Sequence, residues 1–248
     1  LKASSQSEFY AEALFELGRT YALHDKDDEA MKCFSKLVEE VKDNTFLARS
    51  YIEMGTLSRN QSQFNEAIGH YKKVVEDFPL SGFAEDALLA IESIYQARNE
   101  PEEYIAYIEK IGKGASKTED EKESMIFNSA EQIFMSENYQ KALVSLQSYS
   151  EKYPDGAFVG RTEFYVAECY RHLGKLEQAC DVYKKVIAGG DQTLVELSML
   201  HFSDLSYKLE KWSDAFGGYS SLFEHAKVEN NRYLALVGKM RSAFRGHD

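Results

Sequence analysis

Six times along the chain a residue returns at the same point of a two-helix pattern. These are Ala30, Ala67, Tyr104, Ala142, Ala179 and Ala215, at intervals of 37, 37, 38, 37 and 36 residues. Self-similarity at such a period constrains the fold more than any local signal does. One repeat is too short to enclose a core, so neighbouring repeats must bury one another's apolar faces. The expectation is an all-α stack of about six helical hairpins followed by a terminal helix.

The first helix of each repeat carries apolar or small residues three, four and seven apart, as in Leu14, Leu17, Gly18 and Tyr21, or Tyr51, Met54, Gly55 and Ser58. That spacing lines one face of a 3.6-residue helix. The second helix places Ala between large residues, as in Phe64, Ala67, Tyr71 and Val74, or Trp212, Ala215, Tyr219 and Leu222. Small residues on both helices (Gly18, Gly55, Ala130, Ala167 and Ser203 on the first, the alanines on the second) permit the close approach that paired helices need.

This combination resembles the tetratricopeptide repeat family over nearly the whole chain. With Ala11 as position one, the repeats begin at Ala11, Ala48, Glu85, Glu123, Gly160, Glu196 and Asn231, the last with its first helix only. The resemblance implies a right-handed α-solenoid that binds a protein or peptide, without catalysis and without a cofactor. Extra residues fall between repeats, at Phe78-Pro79-Leu80-Ser81-Gly82 and Tyr153-Pro154-Asp155-Gly156. Proline ends the outgoing helix there, and Ser or Asp is expected to cap the next. Such junctions are similar to those of bacterial cell-envelope members of the family, which implies a periplasmic or outer-membrane-associated setting.

The third repeat departs from the pattern. Glu92 stands where Gly or Ala is expected, and Tyr104 where Ala is expected. A ring at the closest approach costs roughly 1–3 kcal/mol unless the helices spread. Beyond it lies Gly112-Lys113-Gly114-Ala115-Ser116-Lys117, which lacks the spacing of a phosphate-binding loop. Thr118 and Glu121 then form a capping box. The expectation is a soft hinge at 112–117 dividing residues 1–111 from 118–248.

Charge excludes some functions. The chain has 29 basic and 41 acidic residues, a net charge of −12, which argues against nucleic acid, where binding rests on clustered Lys and Arg. No apolar run approaches the roughly 20 residues of a membrane span. No two of the six histidines lie three or four apart, so no helical metal pair arises. No nucleophile–base arrangement stands out. Cys33, Cys169 and Cys180 read as small buried hydrophobes, although Cys169 and Cys180, on the two helices of one repeat, leave a bridge open. The chain begins at Leu1 rather than Met, so a piece of a longer protein is expected.

In the family the first helices line the concave surface through positions two, five, nine, twelve and thirteen. The resemblance places there Arg19 in the first repeat, Arg49 and Arg59 in the second, and Phe127, Glu131, Phe134 and Met135 in the fourth. Arg161, Phe164, Glu168 and Arg171 follow in the fifth repeat, and Tyr207 in the sixth. Six of the nine arginines but only two of the twenty lysines fall on such positions. Arg presents a planar fork that grips carboxylates and carbonyls, whereas Lys is a hydrated point charge. A competing reading pairs Arg19, Arg161 or Arg171 with Glu131, Glu168 or Asp204 on adjacent helices, and Phe127, Phe134 and Met135 either seat a partner side chain or touch a neighbouring helix. The sequence leaves both questions open. The carboxylate clamp that some family members use is not recognisable, since Phe15, Arg19, Ile52 and Thr56 occupy its positions.

The favoured function is therefore a non-enzymatic scaffold. Rival readings are substrate recruitment for a larger enzyme and end-to-end self-association, including a homodimer through the apolar face of the terminal helix.

Overall fold

The computed structural model describes residues 8–42, 44–189 and 192–246. Thirteen α-helices and no strand occur among the described residues. The chain divides into two compact units, Leu1–Ser116 and Lys117–Asp248. The first unit contains α1 (Glu8–Ala22), α2 (Asp27–Glu40), α3 (Asn44–Asn60), α4 (Phe64–Asp77), α5 (Phe83–Ala97) and α6 (Pro101–Lys110), then a short 3-10 turn at Gly114–Ser116. The second contains α7 (Glu119–Met135), α8 (Tyr139–Lys152), α9 (Val159–His172), α10 (Leu176–Gly189), α11 (Gln192–Lys208), α12 (Trp212–His225) and α13 (Glu229–Arg245). Six hairpins and a terminal helix result, and within each unit every helix packs on the next.

One backbone device makes each hairpin. Asp25, Ser62, Asn99, Glu137, Gly174 and Glu210 all have φ between 56° and 74°, in the left-handed region. Each sits between the two helices of its hairpin. At five of the six, the amide after the turn residue goes back to a carbonyl of the outgoing helix, as Lys26 to Tyr21 (3.0 Å), Lys175 to Tyr170 (2.9 Å) and Lys211 to Ser206 (2.9 Å). This closure satisfies carbonyls that the helix end would otherwise orphan. These residues are spaced as the alanines are, so one turn geometry recurs with the repeat.

Core packing follows the small residues. Ala30, Ala67, Ala142, Ala179 and Ala215 are completely buried. The first helix offers a flat spot to an aromatic ring four residues after the alanine. A methyl on Gly18 would stand 2.7 Å from Phe34 Cε1, and one on Gly55 would stand 2.6 Å from Tyr71 Cε1. Glycine is required there because the ring occupies the space of a β-carbon.

In the third hairpin the two oversized residues meet each other. Tyr104 is buried, and its hydroxyl bonds to the Glu92 carboxylate; burial first and that carboxylate second push the phenol's pKa up. Glu92 also accepts from Gln96 at 3.2 Å. The second helix here, α6, has 10 residues where its counterparts have 14.

The helix starts correct one expectation. Ser81 does not cap α5. Its hydroxyl donates to the Phe78 carbonyl at 2.7 Å, and the residue before α5 is Gly82, already in the helical region (φ −59°, ψ −15°). Capping by a side chain needs an extended residue at that point. Asp155 does not cap α9 either; Phe158 precedes that helix, and its amide donates to the Tyr149 hydroxyl at 3.0 Å. At α7 the expected box is present, with Glu121 N–H donating to Thr118 Oγ1 (3.2 Å) and Thr118 N–H to Glu121 Oε2 (2.7 Å). Pro101 occupies the first turn of α6, where its missing N–H costs nothing. All three cysteines are free, with Cys169 and Cys180 buried.

Candidate partner-binding face

The residues expected on the first helices divide by unit. In the first unit Arg19 is exposed, 3.6 Å from Glu16 and 3.9 Å from Glu53 on α3. Arg49 lies half-buried with its guanidinium 4.1 Å from the Phe15 ring centre and 5.8 Å from that of Phe46. Arg59 is exposed in the last turn of α3.

In the second unit three positions are not surface at all: Phe127, Phe164 and Glu168. Phe127 is fully buried and Phe164 is 7% exposed. Phe127 disappears because Phe158, from the junction before α9, stacks on it with ring centres 4.4 Å apart and planes at 5°. The expected apolar patch of Phe127, Phe134 and Met135 is therefore reduced to half-buried Phe134 and exposed Met135.

Stacked rings continue from Phe127. Tyr165 lies 6.4 Å from Phe127 and 4.7 Å from Phe134; Phe134 is 5.5 Å from Tyr139; Tyr139 stacks on His172 at 4.1 Å and 7°. This ladder runs across α7, α8 and α9, and its members from Tyr165 to His172 are partly or fully accessible. Arg161 covers its buried end, 4.8 Å from the Phe127 ring centre. Aromatic faces of this kind accept apolar side chains, prolines and cations.

The charged groups beside the ladder are paired with one another. Glu131 accepts from Arg161 and from the Tyr165 hydroxyl (2.7 Å). Glu168 is buried and accepts from Arg171, from the Tyr183 hydroxyl and from His201 Nδ1 (2.7 Å), joining α9, α10 and α11. Burial raises its pKa, but the bonds from His201, Arg171 and Tyr183 outweigh burial and hold it at about 2. Arg161 and Arg171 thus each spend part of their fork inside the protein. Tyr207 is half-buried, edge-on to Trp212 at 5.0 Å.

A spacing of fifteen residues organises these groups. Tyr71, Tyr183 and Tyr219 each bond to a polar residue fifteen positions earlier: Thr56 (3.2 Å), Glu168 and Asp204 (2.5 Å). Tyr149 instead reaches back to Glu123 (2.5 Å). Tyr165, Tyr139 and His201 were also outside the expected set. Among the described residues no group of three or more His, Cys, Asp or Glu is arranged to hold a metal ion, and no helix is long and apolar enough to cross a membrane.

Comparison with known proteins finds the tetratricopeptide repeat in two segments of the chain. The tetratricopeptide repeat family model matches residues 12–44 and 162–188, which fall on the α1–α2 and α9–α10 hairpins. A TPR repeat-containing protein of Methanocaldococcus jannaschii is 30% identical over 91 residues, 36% of this chain. That match spans only 28% of the relative's length. Among solved structures, the TPR domain of P58(IPK) is 15% identical with a TM-score of 0.42, covering 95% of this chain and 65% of that one. PilF of Pseudomonas aeruginosa is 21% identical with a TM-score of 0.41, covering 84% and 87%.

Proposed function

We propose that the chain is a non-enzymatic interaction scaffold that seats a peptide or protein segment along α7 and α9. The observation that carries this reading is the aromatic ladder, because Tyr165, Phe134, Tyr139 and His172 are in ring contact, tilted, edge-on and stacked in turn, and the helices hold them in place. Rigid rings lose little entropy on binding and make effective anchors. Met135 extends the apolar surface beside them. Arg161 and Arg171 act mainly as supports that fix Glu131 and Glu168, leaving their remaining N–H groups for backbone carbonyls or carboxylates of the partner. The first-unit arginines, Arg19, Arg49 and Arg59, offer a second polar strip with the same chemistry. A bacterial envelope setting is part of the proposal and rests on the two aromatic-Pro junctions.

Selection of displayed peptides against the full chain, followed by amide exchange on the complex, tests the reading. Protection is expected along α7 and α9, and Phe134→Ala with Met135→Ala is expected to weaken the selected peptides about tenfold or more. Protection confined to the second helices α8 and α10, or unchanged binding by that double variant, would remove the ladder from the account.

A further inference from the structure

We propose that the segment seated on the aromatic ladder is proline-rich and extended as a polyproline helix, held by ring contacts and by donors to its carbonyls. This rests on the scaffold reading above and goes beyond it by naming the chemistry of the partner. Tyr165, Phe134, Tyr139 and His172 follow one another at 4.7, 5.5 and 4.1 Å between ring centres, and all four are at least partly accessible. A polyproline helix has three residues per turn and rises about 3.1 Å per residue, so prolines three apart stand on one side about 9 Å from each other. Two steps of the ladder span such a distance. Grooves lined by rings suit this conformation, because proline fixes it in advance and little ordering entropy is left to lose on binding.

Hydrogen-bonding capacity beside the rings is one-sided. Arg161 and Arg171 keep N–H groups beyond those they give to Glu131 and Glu168. Acceptors are largely taken. Glu131 Oε1 receives both Arg161 and Tyr165, and Glu168 accepts on both of its oxygens. His172 Nε2 lies 3.1 Å from the Arg171 guanidinium, which can only donate, so this nitrogen is an acceptor already in use. A site with donors to spare and few free acceptors suits a backbone that carries carbonyls without N–H groups. Proline supplies that backbone, and the polyproline conformation leaves its carbonyls without internal partners. A partner strand would bring N–H groups in need of acceptors, and a partner helix would keep its carbonyls to itself.

Charge disfavours the other ligand of aromatic faces. Cations also sit over rings, but this ladder has a guanidinium at each end. Arg161 lies 4.8 Å from the Phe127 ring centre, and Arg171 lies against His172. The neighbouring acids are already paired, so a Lys or Arg of the partner would meet like charge.

Fluorescence anisotropy of the full chain with labelled peptides tests the inference. Decaproline is expected to bind about tenfold or more tightly than an alternating Gly-Ser peptide of the same length, and alternating Lys-Pro more weakly than decaproline. Phe134→Leu keeps apolar bulk and removes the ring, and is expected to weaken decaproline about tenfold. Phe134→Tyr keeps the ring and is expected to bind as wild type does; far-UV circular dichroism checks that both variants fold. Equal affinity for decaproline and Gly-Ser overturns the inference, as does tighter binding of Lys-Pro or equal binding of decaproline by wild type and Phe134→Leu. The scaffold reading fails separately. Selected peptides that lack proline yet lose binding in Phe134→Ala with Met135→Ala overturn the proline preference and leave the scaffold standing, whereas selected peptides indifferent to that double variant remove both.

Discussion

The Tyr183 hydroxyl donates to the Glu168 carboxylate fifteen residues earlier, bridging the α9–α10 hairpin from within, and His201 Nδ1 binds the same carboxylate oxygen from α11. A buried anion is thereby shared by three helices of consecutive hairpins. Such a group costs several kcal/mol when it loses a partner, because its charge stays buried. Tyr183→Phe keeps the ring and removes only the donor. Since Arg171 and His201 still hold the carboxylate, the expected loss is about 1–2 kcal/mol of unfolding free energy, read by urea titration. No change would mean that the hydroxyl is dispensable to the cluster.

The same carboxylate makes stability depend on pH. Its folded pKa of about 2 lies below the ordinary value of 4.5. A depressed folded value stabilises the chain fully above the unfolded pKa, and that contribution disappears as pH falls from about 4.5 through about 2. The amount is on the order of 3 kcal/mol. The wild-type advantage over Glu168→Gln should therefore shrink across this window in acid-unfolding curves. Two curves that run parallel from neutral pH to the acid limit would contradict the assignment.

Two glycines of the first unit should respond oppositely to the same change. A methyl on Gly55 meets the Tyr71 ring at 2.6 Å, while one on Gly69, inside α4, meets nothing within 4 Å. Gly55→Ala forces the ring or the helices apart and should cost about 1–3 kcal/mol. Gly69→Ala removes backbone entropy from the unfolded chain at no steric cost and should add about 0.5–1 kcal/mol. Thermal unfolding of the two variants side by side provides the comparison.

The hairpin turns offer a stabilisation that evolution has used only at Gly174. Glu137 and Glu210 occupy the equivalent left-handed position with φ of 62° and 59°. A β-carbon in that conformation costs roughly 1–2 kcal/mol, which glycine avoids. Glu210→Gly should raise stability by up to about 1 kcal/mol after its own entropic cost, and Gly174→Glu should lower it by a similar amount. Equal midpoints for Gly174→Glu and wild type would show that the turn is not strained.

What the sequence made legible, and what it hid, divides along the range of the interaction. The buried alanines, the glycines under Phe34 and Tyr71, and the Thr118 box depend on residues within one hairpin or one helix end, and their spacing announces them. Glu168 was legible as a first-helix position but not as a buried one. Its burial is set by His201 on the next hairpin as much as by its own. Phe127 was misplaced on the surface for a similar reason: the residue that covers it, Phe158, belongs to a junction whose register the repeat does not fix. The left-handed turns escaped because a non-glycine residue there gives no signal, and five of the six hairpins use one. The spacing of fifteen between Tyr183 and Glu168, or Tyr219 and Asp204, was present in the residues all along, but it gains meaning only when both helices are seen to face each other.

Residues 112–117 remain the proposed hinge, and their local structure favours easy opening there. Gly112 has φ of 73°, a single 3-10 turn spans Gly114–Ser116, and the compact units divide between Ser116 and Lys117. Few buried apolar side chains anchor the segment, in contrast to the junction at Tyr153–Phe158, where Tyr149 takes the Phe158 amide. Local opening free energy follows such anchoring. Amide exchange should be fastest at 112–117, ahead of the junctions at 78–82 and 153–158. Thr118→Ala should widen the gap, since losing the cap costs about 1 kcal/mol at the first turn of α7. If the three junctions exchange at one rate, and Thr118→Ala leaves that rate unchanged, the chain has no hinge at this point and the irregular third hairpin is absorbed by the Glu92–Tyr104 contact alone.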